Sequence, residues 1–275
     1  MDDGLLALWP IFWTGWVSMV LCAMALAPLG VIVIARRQAF LAAAVAQAAT
    51  FGVTLALAWY GDAFTHSTGP QPYIASIFVA IIATVIAGSG GDGRTAGIFC
   101  FMSAATLLFV SGQPFGAAAV ESLMTSSALT AGGADVGAFA LLCVVALLVC
   151  LLQHRSLRLL ALDPEHAAAC GVRVPLWTLL LALWLGFAIG YAVMVTGTLY
   201  AFGILVLPTL VMRQLCRETW QLLVATPILA GLCALIAIPL EHSYDLPPAQ
   251  VTIGILGALL PLGWLGGLLA RRLRP

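Results

Sequence analysis

An all-α polytopic membrane protein is the fold class that this sequence predicts, on three observations. Hydrophobic residues make up 63% of the chain and charged ones only 8%, where an ordinary soluble domain carries about 25% charge. Apolar runs close to the length that crosses ~30 Å of hydrocarbon recur from end to end. Basic residues are confined to the gaps between those runs and to the C-terminus. A single transmembrane domain over 1–275 follows, with membrane lipid as its surroundings and no soluble catalytic domain appended.

The runs give about nine transmembrane helices (eight to nine), in this order. The first, 11–35, stops at Arg36 and Arg37, and the second, 38–59, stops at the polar stretch GDAFTHSTG. The third, 73–89, ends in GSGGDGR. The fourth, 95–111, contains Gly and Ser and ends at SGQP, and the fifth, 136–153, follows GGAD and runs into HRSLR. The sixth, 175–194, opens on a proline, and the seventh, 198–212, is short and ends at Arg213. The eighth and ninth, 220–240 and 250–269, flank the stretch EHSYDLPPA. Eight spans with one re-entrant piece is the alternative, because the seventh run is short and the fourth is interrupted by small residues.

The chain has no lysine, and its eleven arginines fall in five groups: Arg36 with Arg37; Arg94; Arg155, Arg158 and Arg173; Arg213 with Arg217; and Arg271, Arg272 and Arg274. Cytoplasmic flanks carry the excess of basic residues. All five groups are therefore placed in the cytoplasm, with an even number of crossings between consecutive groups. Nine crossings satisfy this with the N-terminus outside and the C-terminus cytoplasmic. The acids give a partial check: Asp2, Asp3, Asp62, Glu121, Asp135, Glu241 and Asp245 fall outside, and Asp92, Asp163, Glu165 and Glu218 inside. The two N-terminal aspartates stand where a secretory leader would be basic, so no cleavage is expected.

No Asp, Glu, Arg or His falls in the middle of any of these crossings. An intramembrane ionisable group is the usual mark of a proton relay, a voltage sensor or an intramembrane metalloenzyme. A proton-driven carrier and an enzyme at membrane depth are both disfavoured, so energy comes from elsewhere or flow is passive. GSGGDG at 88–93 follows an apolar helix rather than a strand, which makes it a cytoplasmic turn and not a dinucleotide loop. The sequence has no HExxH, no GxSxG and no P-loop. Its seven cysteines are scattered singly, and Cys22, Cys100, Cys143, Cys150 and Cys233 read as small hydrophobes within apolar runs. His66 and His242, with Asp245 nearby in sequence, form at most a weak external rim for a divalent metal. Solvated loop polarity is the simpler reading of those three.

One charged island stands out: LALDPEHAAACGV, 160–172, in the longest cytoplasmic connection. It reads as a short helix with its own punctuation. Asp163 is the N-cap, Pro164 the first helical residue, Glu165 lies at the positive end of the dipole with His166 next to it, and Gly171 is the stop. Nothing in it would anchor in lipid. A polar helix held at the membrane face suits a partner's grip.

Three stretches, with the spacing between them, carry a family resemblance: LAPLGVIVIARRQAFLAAAVAQAATFG (27–52), LLALDPEHAAACGVRV (159–174) and VTGTLYAFGILVLPTLVMRQL (195–215), the last followed by SYDLPPA (243–249). The chain resembles the permease subunit of the ABC importers for zinc, manganese and iron, the ABC-3 family, over nearly its whole length. The middle stretch is the most specific, since the family has a similar acidic-Pro/Glu-Ala-Gly-Val segment before its next crossing. Pro208 matches a proline that the family keeps at the end of a short apolar segment.

The resemblance implies a membrane-spanning permease subunit of an ATP-driven importer in the bacterial inner membrane. It implies a second permease copy or a related permease, with the pathway at their interface, and an extracytoplasmic substrate-binding protein. Two cytoplasmic ABC ATPase subunits would hold ATP and Mg, leaving this chain neither an enzyme nor a cofactor carrier, and nucleic acid plays no part. Residues 163–171 would be the coupling helix that docks in the ATPase. In the family's metal importers the residues after the first cytoplasmic loop place an Asp and a His four apart on the second helix. Here those positions hold Ala43 and Gln47. A desolvated divalent cation needs carboxylate, imidazole or thiolate ligands, so three explanations stand: a partner permease supplies them, the metal crosses chelated, or the substrate is not a metal. A passive channel or exporter is the reading from another class, and it would leave the island without a partner to dock.

Overall fold

The structure, a computed structural model, describes residues 3–60, 70–88, 91–111, 131–162, 164–216, 218–244 and 246–272. Every regular element among the described residues is an α-helix. In chain order they are α1 (Asp3–Ala35), α2 (Ala39–Tyr60), α3 (Gln71–Gly88), α4 (Asp92–Ser111), α5 (Gly133–Leu152), α6 (His154–Leu162), α7 (Pro164–Ala169), α8 (Val174–Thr196), α9 (Thr198–Met212), α10 (Thr219–Tyr244) and α11 (Pro248–Arg272). In hydrocarbon a backbone must satisfy its own hydrogen bonds, and a helix does so within one segment.

Eight of these helices are long and apolar enough to cross a membrane: α1 to α5, α8, α10 and α11. α9 is the short one, as the sequence indicates. Its 15 residues rise about 22 Å at 1.5 Å per residue, less than the ~30 Å of a hydrocarbon core. Ala201, Ile204, Leu205, Thr209 and Val211 of α9 are all buried. A helix shielded by protein does not have to match the lipid thickness. The nine predicted crossings thus become eight long helices and one short buried one. Two boundaries also move. α1 starts at Asp3 rather than 11, and α10 runs to Tyr244 rather than 240, because no breaker intervenes before Pro247 and Pro248.

Polar residues inside the helices are small and mostly satisfy themselves. Each buried polar side chain among the described residues is Ser or Thr. Thr84, Thr196 and Thr226 donate to the carbonyls of Ala80, Ala192 and Leu222, four residues back. This back-bonding removes the cost of an unpaired hydroxyl in an apolar surrounding.

The chain divides into two compact units. The first comprises Met1–Ala35, Ser127–Arg158 and Gly203–Pro275. Within it α1 packs against α10 and α5, and α10 packs against α11. Gly30 of α1 lies directly on the backbone of α9, where a Cβ would fall 1.7 Å from the Leu205 carbonyl oxygen. Trp16 Nε1 donates to Glu241 Oε2 at 3.1 Å, and the Cys143 thiol donates to the Leu21 carbonyl at 3.1 Å. The second unit comprises Arg36–Ser126 and Leu159–Phe202, with α3 held between α2 and α8. Gly186 and Gly190 on α8 are one turn apart, and a Cβ on either would meet the Cα of Ile81 or Ile77 at 2.6 or 2.7 Å. Ser76 of α3 donates to the Gly190 carbonyl at 2.8 Å, and the hydroxyls of Thr50 and Thr198 share a 2.7 Å hydrogen bond. Small residues let the backbones meet, and hydroxyls then bridge them.

Candidate functional site

The helix suggested between Asp163 and Gly171 is present as α7, and a second helix, α6, precedes it from His154 to Leu162. α6 is amphipathic: Leu157 and Leu160 are buried, whereas Arg155 and Arg158 are exposed. The signal was present as two leucines three apart, flanked by arginines, in HRSLRLLAL. α7 then begins at Pro164, whose missing N–H would have no partner in a first turn. The predicted N-cap, Asp163, lies outside the described residues.

The stop of α7 is closed by two hydrogen bonds. Val172 N donates to Ala167 O and Gly171 N to Ala168 O, both at 3.0 Å. Gly171 has φ +84°. A left-handed residue followed by a six-to-one bond is the Schellman arrangement, and glycine adopts it without the Cβ penalty. Ala167 faces inward, fully buried, while Pro164, Glu165, His166, Ala168, Ala169 and Cys170 are exposed. His166 Nε2 lies 3.7 Å from the Cys170 Sγ. α7 is therefore a rigid polar knob held by its C-terminal closure and one buried alanine.

Ala43 and Gln47 occupy one face of α2. Both are partly exposed, whereas Leu41, Ala42, Val45, Ala46, Ala48 and Ala49 are buried. The same face carries Phe40 and Phe51, which reach α4: Phe40 stands 5.2 Å from Phe99, centroid to centroid, and Phe51 meets Phe109 edge-on at 5.5 Å. Gln47 makes no side-chain hydrogen bond with the described residues. Just before α2, the turn Arg36-Arg37-Gln38 places Arg37 at φ +58°. Partial burial lowers the pKa of Arg36 from its ordinary value.

Pro208 is buried inside α9, in the first unit. Its missing N–H takes a donor from the Ile204 carbonyl. The neighbouring Thr209 hydroxyl is fully buried with no hydrogen-bond partner among the described residues.

Of the weak external rim only His242 falls among the described residues. His66 and Asp245 lie outside the described residues, and His242 is exposed on the last turn of α10. Among the described residues no group of three or more His, Cys, Asp or Glu gathers to hold a metal ion. Glu241, which the sequence places outside, lies near the end of α10, and its carboxyl group accepts a hydrogen bond from buried Trp16. Sequence reasoning missed that pairing, because 225 residues separate the partners.

The profile of the ABC 3 transport family matches residues 9–264. The fold is similar to that of a chain in PsaBC from Streptococcus pneumoniae in complex with Fab: TM-score 0.79 and 14% identity, over 96% of this chain and 95% of that one. It is also similar to a structure described as an inward-facing conformation of a metal-chelate type ABC transporter, with TM-score 0.75 and 16% identity over 95% of this chain and 89% of that one. No curated protein matches the sequence at a significant level.

Proposed function

The chain belongs to the ABC 3 transport family, and from that premise we propose that it is the permease of an ATP-driven importer in a bacterial inner membrane. The N-terminus is outside and the C-terminus cytoplasmic. It works with a second copy of itself or a related permease, two cytoplasmic ATPase subunits that carry ATP and Mg, and an extracytoplasmic substrate-binding protein. The observation that carries this reading is α7. A six-residue helix from Pro164 to Ala169, closed by Gly171 and exposed along Glu165, His166 and Ala168, has no use in lipid. It serves as the lever that the ATPase grips, with Asp163 as its cap. A short closed helix transmits displacement because it cannot absorb it by fraying.

The cargo is a divalent metal of the zinc, manganese or iron class. Ala43, Gln47 and Pro208 border its route. One observation favours a second reading, a chelated metal. The exposed face of α2 offers aromatic rings and one amide but no anionic or imidazole donor. A metal that arrives with its coordination filled by an organic ligand needs none.

The test is reconstitution. The purified chain alone should neither bind nor hydrolyse ATP, and in nanodiscs it should hold the ATPase subunit of its own transporter. ATP turnover by the isolated chain, or no association with the ATPase, would sink the reading.

A further inference from the structure

We propose that His166 and Cys170 form a two-point site for a thiophilic divalent metal ion of the zinc class, and that its occupancy competes with ATPase docking. The second half rests on the reading of α7 as the coupling helix; the first half does not. The two donors sit at positions i and i+4 on one face, with His166 Nε2 3.7 Å from Cys170 Sγ. Tetrahedral zinc, with Zn–N of about 2.0–2.1 Å and Zn–S of about 2.3 Å, spaces such a pair about 3.5 Å apart. Chelation would therefore require a closure of only about 0.2 Å. The Schellman bonds from Gly171 and Val172 hold the end of the helix on which Cys170 sits.

Both residues are exposed, so an ion can reach them and water can complete its shell. On binding, the thiol gives its proton to solvent, sulfur and Nε2 each donate a lone pair, and no oxidation state changes. The other cysteines lack this arrangement. Cys22, Cys150 and Cys233 are buried, Cys143 donates to a backbone carbonyl, Cys100 lies within the apolar α4, and Cys216 has no histidine within four residues. An ion and its waters on His166 and Cys170 would occupy the exposed surface that docking must cover. An ion released into the cytoplasm would then restrain its own import.

Cobalt(II) is the probe, because cobalt bound to a thiolate absorbs by charge transfer. The purified full-length chain in nanodiscs should show a saturable thiolate–cobalt band that zinc displaces. Cys170→Ser should abolish it, His166→Ala should weaken cobalt binding by about tenfold or more, and Cys216→Ser should leave it unchanged. Zinc should also weaken association of the ATPase with the wild-type chain and have no such effect on Cys170→Ser. Absence of the band in the wild type, or its persistence in Cys170→Ser, overturns the site; His166 and Cys170 then share only an S–H···N contact. A normal band with zinc-insensitive docking overturns the competition. An ATPase that never associates, with the band intact, counts against α7 as the coupling helix and leaves the metal site standing.

Discussion

The indole Nε1 of Trp16, near the start of the apolar stretch of α1, donates to Oε2 of Glu241 on the last turn of α10 at 3.1 Å. The bond joins a buried ring to a half-buried carboxyl group. Removing the acceptor with Glu241→Ala should lower stability by about 1–3 kcal/mol, while Glu241→Gln, which keeps an oxygen, should lose clearly less. Thermal unfolding in detergent reads the difference. Equal losses for the two variants would show that the bond contributes nothing beyond packing.

The α3–α8 contact depends on the absence of side chains at Gly186 and Gly190. Gly190→Val would drive a side chain into the Ile77 backbone, where a Cβ alone falls at 2.7 Å. Overpacking of this kind costs about 1–3 kcal/mol or more. Gly97→Ala on α4 meets no atom within 4 Å and serves as the control, with an unchanged or slightly raised melting temperature. Similar melting temperatures for the two variants would refute the close contact.

At the end of α7, Gly171→Val places a β-branched residue at φ +84°, a conformation that costs an L residue about 1–2 kcal/mol. Because Gly171 has open space around it, the strain should stay local. The expected outcome is weaker ATPase association with unchanged membrane insertion and melting. Glu165→Arg should weaken docking in the same way by reversing the charge of an exposed residue. Wild-type transport by the double variant would exclude α7 as the docking element.

Gln47→Ala should reduce transport without abolishing it, since a neutral amide contributes only a hydrogen bond. Ala43→Asp combined with Gln47→His should do the opposite of improving uptake. It creates an i, i+4 ligand pair, and tight binding without release blocks conduction. Elemental analysis of both complexes and uptake into vesicles check this. Stoichiometric zinc or manganese held by α2 in the wild type would contradict it.

Reporter fusions at the two termini should fall on opposite sides of the membrane. With all the arginine groups read as cytoplasmic, α9 is expected to return the chain to the cytoplasm before Arg213, short as it is. Termini on one side would mean that α9 enters and leaves by the same face.

The long helices were legible because lipid imposes one rule on all of them, and unbroken apolarity reports it directly. The stop at Gly171 was legible for a similar reason: capping is local, and glycine in left-handed conformation leaves a short-range trace. Glu241 lies within α10, which runs on past the predicted 240 because a helix end that reaches water needs no apolar residues there. Its bond to Trp16 is long-range and leaves no mark in the pattern. α6 was overlooked because nine residues with two arginines resemble a basic flank when only charge is counted. At Ala43 and Gln47, the structure adds what spacing could not: the aromatic pairs to α4 that frame the face.

The interleaving of the two compact units sets the order in which the protein can be completed during synthesis. α1 is made first, yet its companions α5 and α10 begin at residues 133 and 219. At about 5–20 residues per second, α1 waits roughly ten to forty seconds for α10. Its apolarity keeps it in the bilayer meanwhile, but the notch at Gly231 that receives Met24 does not yet exist. A ribosome that stalls before α10 would leave a helix in the membrane with its inner face open to lipid and to membrane proteases. Surveillance of nascent chains would thus judge this protein by its final fifth.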